Sequence, residues 1–320
     1  MAEFLTIGEP MAVFASSNID KNLEDATDFT KFVAGAELNV AIGISRLGHR
    51  TEYISSVGQD PFGKFIRKSM TAAGVGNTYV SEDVDHWTGF YLKERVSHGD
   101  PATFYFRRNS AAANFDANIL DSIDFSDVQI AHLSGIFAAL SDNDLAVLKR
   151  LSQHLKQNGK FITFDPNLRP ALWESQAHMV ATTNELAKNA DLVMPGIHEG
   201  EILMGSSNPQ KIADFYLNQS QTTQTVIVKL GPKGAYIKQK NGNAQTIPGF
   251  HVKNVVDTVG AGDGFAVGLI SGLLDGLPIN KAARRGCAIG ALAVMSPGDN
   301  DGYPTSDELN SYLQNQQITE

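Results

Sequence analysis

The chain has 320 residues, of which 42% are hydrophobic, enough for a sizeable core in one large α/β domain or two smaller ones. Its 35 acidic and 26 basic residues give a net charge of −9, which argues against general binding to nucleic acid or to an anionic membrane surface. One cysteine, no signal-peptide pattern and no run of eighteen apolar residues together predict a cytoplasmic protein without disulfides or membrane spans.

The first hundred residues predict short strands around two helices. The strands are expected at 4–7, 11–15, 29–33, 53–57, 88–96 and 102–107. The first helix carries inward Val40, Ile44 and Leu47, and the second covers 60–73. Because several of these strands have no helix between them, we expect residues of approximately 11–34 and 88–109 to form a small second sheet that acts as a lid.

After residue 127, strand-like and helix-like segments alternate. The predicted strands are 128–133, 160–164, 191–194 and 225–230. The predicted helices are 142–157, 176–188 and 197–204, and a late hairpin (235–239 and 244–247) precedes two more helices and a last one at 307–314. Such alternation predicts an α/β fold whose mostly parallel central sheet is covered on both faces, and we expect residues 1–320 to form one domain.

The most informative stretch is Asp257-Thr258-Val259-Gly260-Ala261-Gly262-Asp263, which is followed by an apolar helix at 264–274. Gly260, Ala261 and Gly262 are too small to crowd a ligand. The free N–H groups and the positive dipole end of the helix that begins there can hold a transferring phosphate. Asp263 lies in the first turn, where a carboxylate can accept a proton from a substrate hydroxyl.

Two arginines stand where a carboxylate ligand can be held. Arg107 is two residues after Tyr105, so the two share a face of one predicted strand. Arg169 follows 165–168 at the carboxyl end of a parallel strand, where open α/β sheets bind ligands. A pair of arginines can bind a carboxylate through bidentate, charge-assisted bonds, although a lone arginine is more often an ordinary surface residue.

Two other segments leave their interpretation open. Lys229 precedes the turn 231–234, which is either a plain β-turn or a backbone that approaches phosphates. Glu199 and Glu201 lie at the start of a predicted helix. They are either surface charges that complement the helix dipole or part of a magnesium–water network.

One motif match is misleading. Residues 58–64 fit G-x-x-x-x-G-K between a strand and a helix, as in a P-loop. Phe65, however, stands where Ser or Thr must ligate magnesium, and Asp60 would put a negative charge in the phosphate cradle. We therefore expect an ordinary strand-to-helix turn. No G-x-G-x-x-G follows the first strand, and no closely spaced His/Cys cluster indicates zinc.

These residues resemble the ribokinase-like, or PfkB, family of sugar kinases over nearly the whole chain. Residues 257–270 match the C-terminal signature of the family, and 34–39 follow its N-terminal signature, with Glu37 replacing the usual small residue or proline. The branch that phosphorylates 2-keto-3-deoxygluconate (KDG) is similar at 8–10, 35–39, 88–94, 104–107, 132–136 and 165–173. The resemblance implies an αβα-layered ribokinase-like fold with a β-sheet lid, and it implies ATP and Mg²⁺ as cofactors.

The resemblance also implies a role for each matching residue. Asp263 becomes the catalytic base, and Gly260, Ala261 and Gly262 form the anion hole. The sugar acid is expected to contact Gly35, Ala36, Glu37, Asn39, Tyr91, Tyr105, Arg107, Arg169, Asp263 and Asp299. The nucleotide is expected at Asn167, Lys229, Gly231, Lys233, Gly234, Gly260, Gly262 and Cys287. Glu199 would hold Mg²⁺ through water. Cys287 and Gly196 depart from the family pattern, which often has Asn at the first position and Asn or Ser at the second.

The function implied is ATP-dependent phosphorylation of the 6-hydroxyl of KDG, with a monovalent cation left open and a homo-oligomer expected. The alternatives are a fructokinase or another ribokinase-like sugar kinase with a neutral substrate, and a catalytically silent sugar-acid-binding protein. The two arginines and Glu37 favour the acid, and the intact Asp263 and glycine turn favour catalysis.

Overall fold

The computed structural model describes residues 2–99, 101–296 and 298–317, and within them the chain forms thirteen strands and ten α-helices. The strands are β1 (Phe4–Ile7), β2 (Met11–Ile19), β3 (Phe29–Ala34), β4 (Thr51–Gly58), β5 (Val75–Asp83), β6 (Phe90–Arg95), β7 (Thr103–Phe106), β8 (Ile130–Ser134), β9 (Phe161–Asp165), β10 (Leu192–Val193), β11 (Thr225–Lys229), β12 (Ala235–Gln239) and β13 (Gln245–Ile247). The helices are α1 (Ala36–Arg46), α2 (Pro61–Ala72), α3 (Gly135–Ala138), α4 (Asp142–Gln157), α5 (Gln176–Ala187), α6 (Ile197–Met204), α7 (Pro209–Gln219), α8 (Ala261–Leu274), α9 (Ile279–Ala293) and α10 (Ser306–Gln317).

The larger sheet has the strand order β13-β12-β11-β10-β9-β8-β1-β4-β5. Its strands are parallel from β5 to β11, and β12 and β13 add the predicted hairpin in antiparallel fashion. Because the parallel strands all end at one edge, their following loops meet there, and this edge is where the cavities described below open.

Helices cover both faces of this sheet, as the alternation of strands and helices predicts. On β11, Ile227 packs into one hydrophobic cluster while Val226 and Val228 pack into the other, which follows from the two-residue repeat of a strand. The first cluster includes residues of α1, α2, α8, α9 and α10, and the second includes residues of α3 to α7. No helix in the described part of the chain is long and apolar enough to cross a membrane.

A separate small sheet has the order β3-β2-β6-β7. It holds an aromatic group in which Phe90 stacks on Phe106 with ring centroids 4.7 Å apart, and Phe62 of α2 contacts both Phe14 and Phe90. These contacts fix the small sheet to the larger domain body at α2. The predicted combination of a large mostly parallel sheet and a small second sheet is confirmed.

Three elements were not predicted: strand β5, the four-residue helix α3 and helix α7. Strand β5 lies at the edge of the large sheet with only Val75 and Val80 buried, so its sequence lacks a strong apolar pattern. Helix α7 does carry a start signal, because the Asn208 side chain caps it and Pro209 occupies its first turn. In addition, α8 begins at Ala261 rather than at residue 264.

The turn that mimics a P-loop is filled by its own aspartate. Asp60 Oδ1 accepts hydrogen bonds from the N–H groups of Phe62 and Gly63 at 2.8 Å each, and Oδ2 accepts one from Thr88 N–H at 2.8 Å. The carboxylate therefore takes the place that a phosphate would need. The prediction of an ordinary strand-to-helix turn is confirmed.

Candidate active site

A cavity of about 320 Å³ opens at the carboxyl edge of the large sheet, between that edge and the small sheet. It brings together every residue that the resemblance assigns to the sugar acid: Gly35, Ala36, Glu37, Asn39, Tyr91, Tyr105, Arg107, Arg169, Asp263 and Asp299. These residues come from six separate segments of the sequence. Their convergence supports the predicted sugar site, and the residue roles within it remain predictions.

The turn before α8 has the geometry of an anion site. Gly260 caps the helix with φ +80°, a conformation that favours glycine, and a Cβ there would collide with the carbonyl oxygen of Asp299. The Tyr303 hydroxyl donates to the Gly260 carbonyl at 2.9 Å, and Asp257 Oδ1 accepts from Val259 N–H at 3.0 Å. The first N–H groups of α8 are thereby presented at the cavity.

Asp263, one turn into α8, is oriented by a chain of amides. Asn39 Nδ2 donates to Asp263 Oδ2 at 3.0 Å, and Asn300 Nδ2 donates to Asn39 Oδ1 at 2.9 Å. Burial, with help from the nearby Asp165 and Glu37 carboxylates, raises the pKa of Asp263 to about 7. Asn39 was expected to contact the sugar acid, and it lines the cavity, but its amide group is bonded to Asp263 and Asn300.

The two arginines line the same cavity but differ in burial and in their hydrogen-bond partners. Arg107 is buried, and its Nε and Nη2 donate to Glu9 Oε2 at 2.6 and 2.5 Å, while Ser110 Oγ donates to Glu9 Oε1 at 2.5 Å. Arg169 is exposed and its Nη1 donates to the Leu168 carbonyl at 2.9 Å. The positive charge of Arg107 is therefore already matched by a buried carboxylate, which the sequence did not reveal.

Glu9 is a cavity-lining residue that the sequence analysis did not assign to the site. Its side chain is completely buried, and it lines the cavity just beyond the end of β1. The signal that could have revealed it is its position, since side chains that follow parallel strands of an open α/β sheet gather at the ligand-binding edge.

Glu37 is also buried, with 1% of its surface exposed, and the Ser134 hydroxyl donates to its Oε1. Burial raises the pKa of Glu37 above its ordinary value, because an ionised carboxylate loses its hydration there. The surroundings of Glu37 therefore disfavour a negative charge beside an anionic substrate in the same cavity.

Lys229 ends β11 and donates from Nζ to Asp165 Oδ2 at 2.5 Å. Burial disfavours its charge, but Asp165 and Glu199 outweigh that effect and raise the pKa of Lys229 above its ordinary value. The ammonium group is therefore charged at neutral pH, as a residue that contacts phosphate should be.

A second cavity, of about 550 Å³, lies beside the first and shares Lys229, Thr258 and Gly262 with it. Its walls are largely apolar and include Phe250, Val252, Val255, Phe265, Ala291 and Val294. The predicted nucleotide residues Gly231, Gly234, Gly262 and Cys287 all line it. An apolar-walled cavity that adjoins the turn before α8 is suited to a nucleotide base.

Four predicted nucleotide or metal residues do not line the second cavity: Asn167, Lys233, Gly260 and Glu199. Asn167 lies in the first cavity, because the loop after β9 turns through a left-handed conformation with φ +40° at this residue. Lys233 is exposed to solvent on the one-turn helix 231–233 and lines neither cavity. Gly260 also lines the first cavity. The assignment of these residues to the nucleotide stays a prediction.

Glu199 also lines neither cavity. Its Oε2 accepts from Gly196 N–H at 2.6 Å and its Oε1 from Leu168 N–H at 2.9 Å, so it joins two loops at the carboxyl edge of the sheet. A role with magnesium through water stays a prediction. Across residues 2–99, 101–296 and 298–317, no group of three or more His, Cys, Asp or Glu side chains could hold a metal.

The sequence pattern of pfkB family carbohydrate kinases matches residues 1–306. A 2-dehydro-3-deoxygluconokinase of Bacillus subtilis (strain 168) is 44% identical to this chain over 310 residues, which are 97% of this chain and 94% of the relative. A 5-dehydro-2-deoxygluconokinase of Geobacillus thermodenitrificans (strain NG80-2) is 28% identical, over 98% of this chain and 93% of the relative.

Solved structures agree with the larger architecture. A PfkB protein from Polaromonas sp. JS666 has a TM-score of 0.87 and 38% identity, covering 97% of this chain and 99% of that chain. A putative ribokinase II from E. coli, solved in complex with ATP and Mg²⁺, has a TM-score of 0.88 and 26% identity, covering 98% of this chain and 100% of that chain.

Proposed function

Because this chain belongs to the pfkB family of carbohydrate kinases, we propose that it transfers the γ-phosphoryl group of ATP to the 6-hydroxyl of KDG, also called 2-dehydro-3-deoxygluconate. The product is 2-keto-3-deoxy-6-phosphogluconate. The observation that carries this proposal is the 44% identity to a 2-dehydro-3-deoxygluconokinase over 97% of the chain, together with one cavity that holds Asp263 and two arginines.

Asp263 is assigned the role of general base. In the cavity, its carboxylate takes the proton from the 6-hydroxyl as that oxygen attacks the γ-phosphate in line. Asn39 holds the carboxylate by a hydrogen bond at 3.0 Å, which fixes the direction in which the base points. The raised pKa, about 7, makes Asp263 a stronger base than an exposed aspartate.

The turn of Gly260 to Gly262 stabilises the charge that develops on the transferring phosphoryl group. Its N–H groups begin α8, so the helix dipole adds to their effect. Lys229 lies where the two cavities meet and supplies a positive charge at the same point. Mg²⁺, when bound, neutralises further charge on the phosphates of ATP.

The far end of the sugar cavity recognises the carboxylate of KDG. Arg169 has no carboxylate partner among its described hydrogen bonds, so its charge is available to the substrate. Arg107 is held in place by Glu9 and offers its remaining donors in a fixed direction. Burial raises the pKa of Glu37, which disfavours a repelling charge beside them.

The small sheet forms one wall of this cavity through Tyr91 and Tyr105. We assign it the role of a lid that covers the sugar and excludes water, which limits wasteful hydrolysis of ATP. Tyr91 already contacts Asp299 across the cavity, with 3.4 Å between its hydroxyl and Oδ2.

A coupled assay of ADP release with KDG, 5-dehydro-2-deoxygluconate, fructose and ribose tests the proposal. The highest kcat/KM is expected for KDG. If fructose is the better substrate, the fructokinase alternative replaces the proposal. If KDG binds without any phosphorylation, the protein is a sugar-acid-binding protein.

Substitution of the arginines tests how the acid is recognised. Arg169→Met should weaken the binding of KDG by about 1.5–3 kcal/mol, the scale of a hydrogen bond to a charged group. The kinetics with fructose and with ATP should not change. Arg107→Met should do the same and also lower the melting temperature, because Glu9 then stays buried without its partner. An equal loss for KDG and fructose in Arg169→Met would contradict the role of Arg169 in binding the acid.

A further inference from the structure

Two side chains of the small sheet reach across to the segments that flank the phosphate-binding turn. Tyr91 and Lys93 are two residues apart on β6, so they leave the same face of the strand. The Tyr91 hydroxyl donates to Asp299 Oδ2 at 3.4 Å, and Lys93 Nζ donates to Asp257 Oδ2 at 3.0 Å. The Lys93–Asp257 pair is well shielded, since 14% of the lysine side chain and 23% of the aspartate side chain are exposed.

Asp257 connects this lysine to the turn itself. While Oδ2 binds Lys93, Oδ1 accepts from Val259 N–H at 3.0 Å, so a single carboxylate joins the small sheet to the residue before Gly260. Gly260 in turn packs its backbone against the Asp299 carbonyl. The position of β6 is thereby linked to the start of α8, which carries the proposed catalytic base.

The charges around Lys93 show why an ammonium group is needed here. Burial raises the pKa of Asp299, and Asp257 and Asp301 raise it further, whereas Lys93 lowers it. Asp257 and Asp301 therefore lie close enough to act on Asp299, and Lys93, which is bonded to Asp257, is the cation that opposes them at Asp299. Without it, repulsion in a partly desolvated space would push the Asp257 turn and the Asp299 segment apart.

We propose that Lys93 is a positioning residue for phosphoryl transfer, whose ammonium group acts as a built-in cation that holds the Asp257 turn and the Asp299 segment together under the small sheet. This inference rests on the proposed kinase function and adds to it a link between the lid and the anion site. Lys93 is not among the residues that line the sugar or nucleotide cavity, so it acts through the turn.

The surroundings of Lys93 allow a direct test by replacement of its charge. Lys93 lines two grooves, of about 590 and 250 Å³, between the small sheet and the loops at 255–258 and 298–301. When the lysine side chain is shortened to alanine, a small soluble cation can therefore enter from solvent and occupy the vacated place. Methylammonium and K⁺ are suitable probes, and tetramethylammonium is a bulky control cation.

Lys93→Met, which keeps the apolar stem, should lower kcat for KDG phosphorylation by about tenfold to a hundredfold, the scale of a small misplacement of catalytic groups. The KM values for KDG and ATP should change much less, because neither substrate contacts Lys93. Lys93→Ala should recover kcat in methylammonium or K⁺ chloride but not in tetramethylammonium chloride, whereas the wild-type protein should respond equally to all three. Lys21→Met, at an exposed lysine between β2 and β3, is the matched control and should behave as wild type.

A Lys93→Met protein with a wild-type kcat would overturn the proposal. So would a loss of activity that no small cation restores in Lys93→Ala while the melting temperature falls, because that result assigns Lys93 to packing alone. The wild-type assay separates these outcomes from failure of the proposed function: if wild type does not phosphorylate KDG, the kinase assignment itself is wrong.

Discussion

At the scale of single residues, Asp263, the proposed catalytic base, lies in an environment that disfavours its charge. In the folded protein its pKa is raised to about 7, mainly by burial, whereas an unfolded chain has the ordinary value near 3.8. An acid whose pKa is higher in the folded than in the unfolded protein stabilises the fold most at a pH below its unfolded pKa. For Asp263 this stabilisation is lost as the pH rises through 7. The carboxylate that the reaction needs therefore costs stability at neutral pH.

Asp263→Asn should consequently lose turnover and gain stability. We expect kcat to fall by at least about a hundredfold, as for a lost general base, and the melting temperature at pH 8 to rise. Steady-state kinetics and thermal unfolding on the same preparation measure both. Near-normal turnover would refute the assignment of the base, and a lower melting temperature would contradict the raised pKa.

Wild-type kcat/KM should also show an acidic limb with an apparent pKa near 7, well above that of an exposed aspartate. Below this pH, Asp263 is protonated and cannot accept the proton of the 6-hydroxyl. A profile that stays flat down to pH 5 would mean that another group is the base.

The two glycines of the turn should respond differently to substitution. Gly262 is exposed, does not have a positive φ, and an added Cβ would meet Lys229 Nζ at an ordinary 3.7 Å. Gly262→Val should therefore fold normally but obstruct the phosphate, with a loss of kcat of about a hundredfold. Gly260→Ala should instead lower the melting temperature, because φ +80° and the Asp299 carbonyl leave no room for a side chain. If Gly262→Val raised only the KM for KDG, the anion hole would lie elsewhere.

At the scale of elements, the close packing of α8 on α9 sets the position of the turn that we propose to be catalytic. A Cβ on Gly268 would lie 2.5 Å from the Arg285 carbonyl oxygen, so the two helices touch through their backbones at this point. Gly268→Ala should push α8 away from α9, at a cost of about 1–3 kcal/mol in unfolding free energy, and should lower kcat because Asp263 moves with the helix. Urea unfolding together with kinetics measures both effects. A stability equal to that of wild type would show that the helices can separate freely.

Elements with strong local patterns could be predicted from the sequence, and those without could not. Strand β1 and helix α6 have the predicted bounds, because an apolar run or a clear start and end marks each of them. Edge strand β5 has too few buried positions to stand out.

In the candidate site, too, features that depend on local sequence could be predicted, and contacts between distant parts of the chain could not. Motif residues predicted the cavity lining well, because the fold gathers the ends of parallel strands at one edge. The ion pair of Arg107 with Glu9, however, joins residues 98 apart, and the amide chain from Asn300 through Asn39 to Asp263 spans most of the protein. Such contacts depend on packing between elements, which local sequence does not encode.

At the scale of the whole molecule, buried acids should give the stability an unusual dependence on pH. Burial raises the pKa of Asp144 to about 7, and it raises the pKa of Asp299 and Glu37 as well. Backbone hydrogen bonds outweigh burial at Asp60 and lower its pKa. The acids with raised pKa values destabilise the fold as pH rises from about 4 through 7, and Asp60 stabilises it above pH 4.

We therefore expect the melting temperature to be highest in mildly acidic buffer and to fall towards pH 8. Asp144→Asn should remove part of that fall, because one oxygen of this fully buried carboxylate has no hydrogen-bond partner in the described structure. Asp142→Asn, at an exposed position in the first turn of the same helix α4, is the matched control and should leave the slope unchanged. Thermal unfolding between pH 4 and 8 measures how the melting temperature changes with pH. The same change with pH in wild type and Asp144→Asn would contradict the role of Asp144.

The sugar cavity is lined mostly by polar residues and the second cavity mostly by apolar ones. The two adjoin, since Lys229, Thr258 and Gly262 line both. A single molecule that joins an acidic sugar analogue to an apolar aromatic group through a short anionic linker could therefore occupy both at once. Tethering turns the second binding event into an intramolecular one, so its affinity should exceed that of either half by about a hundredfold or more. The polar half would select sugar-acid kinases, and the aromatic half would supply apolar contact, so the passage beside Gly262 offers a route to selective inhibitors.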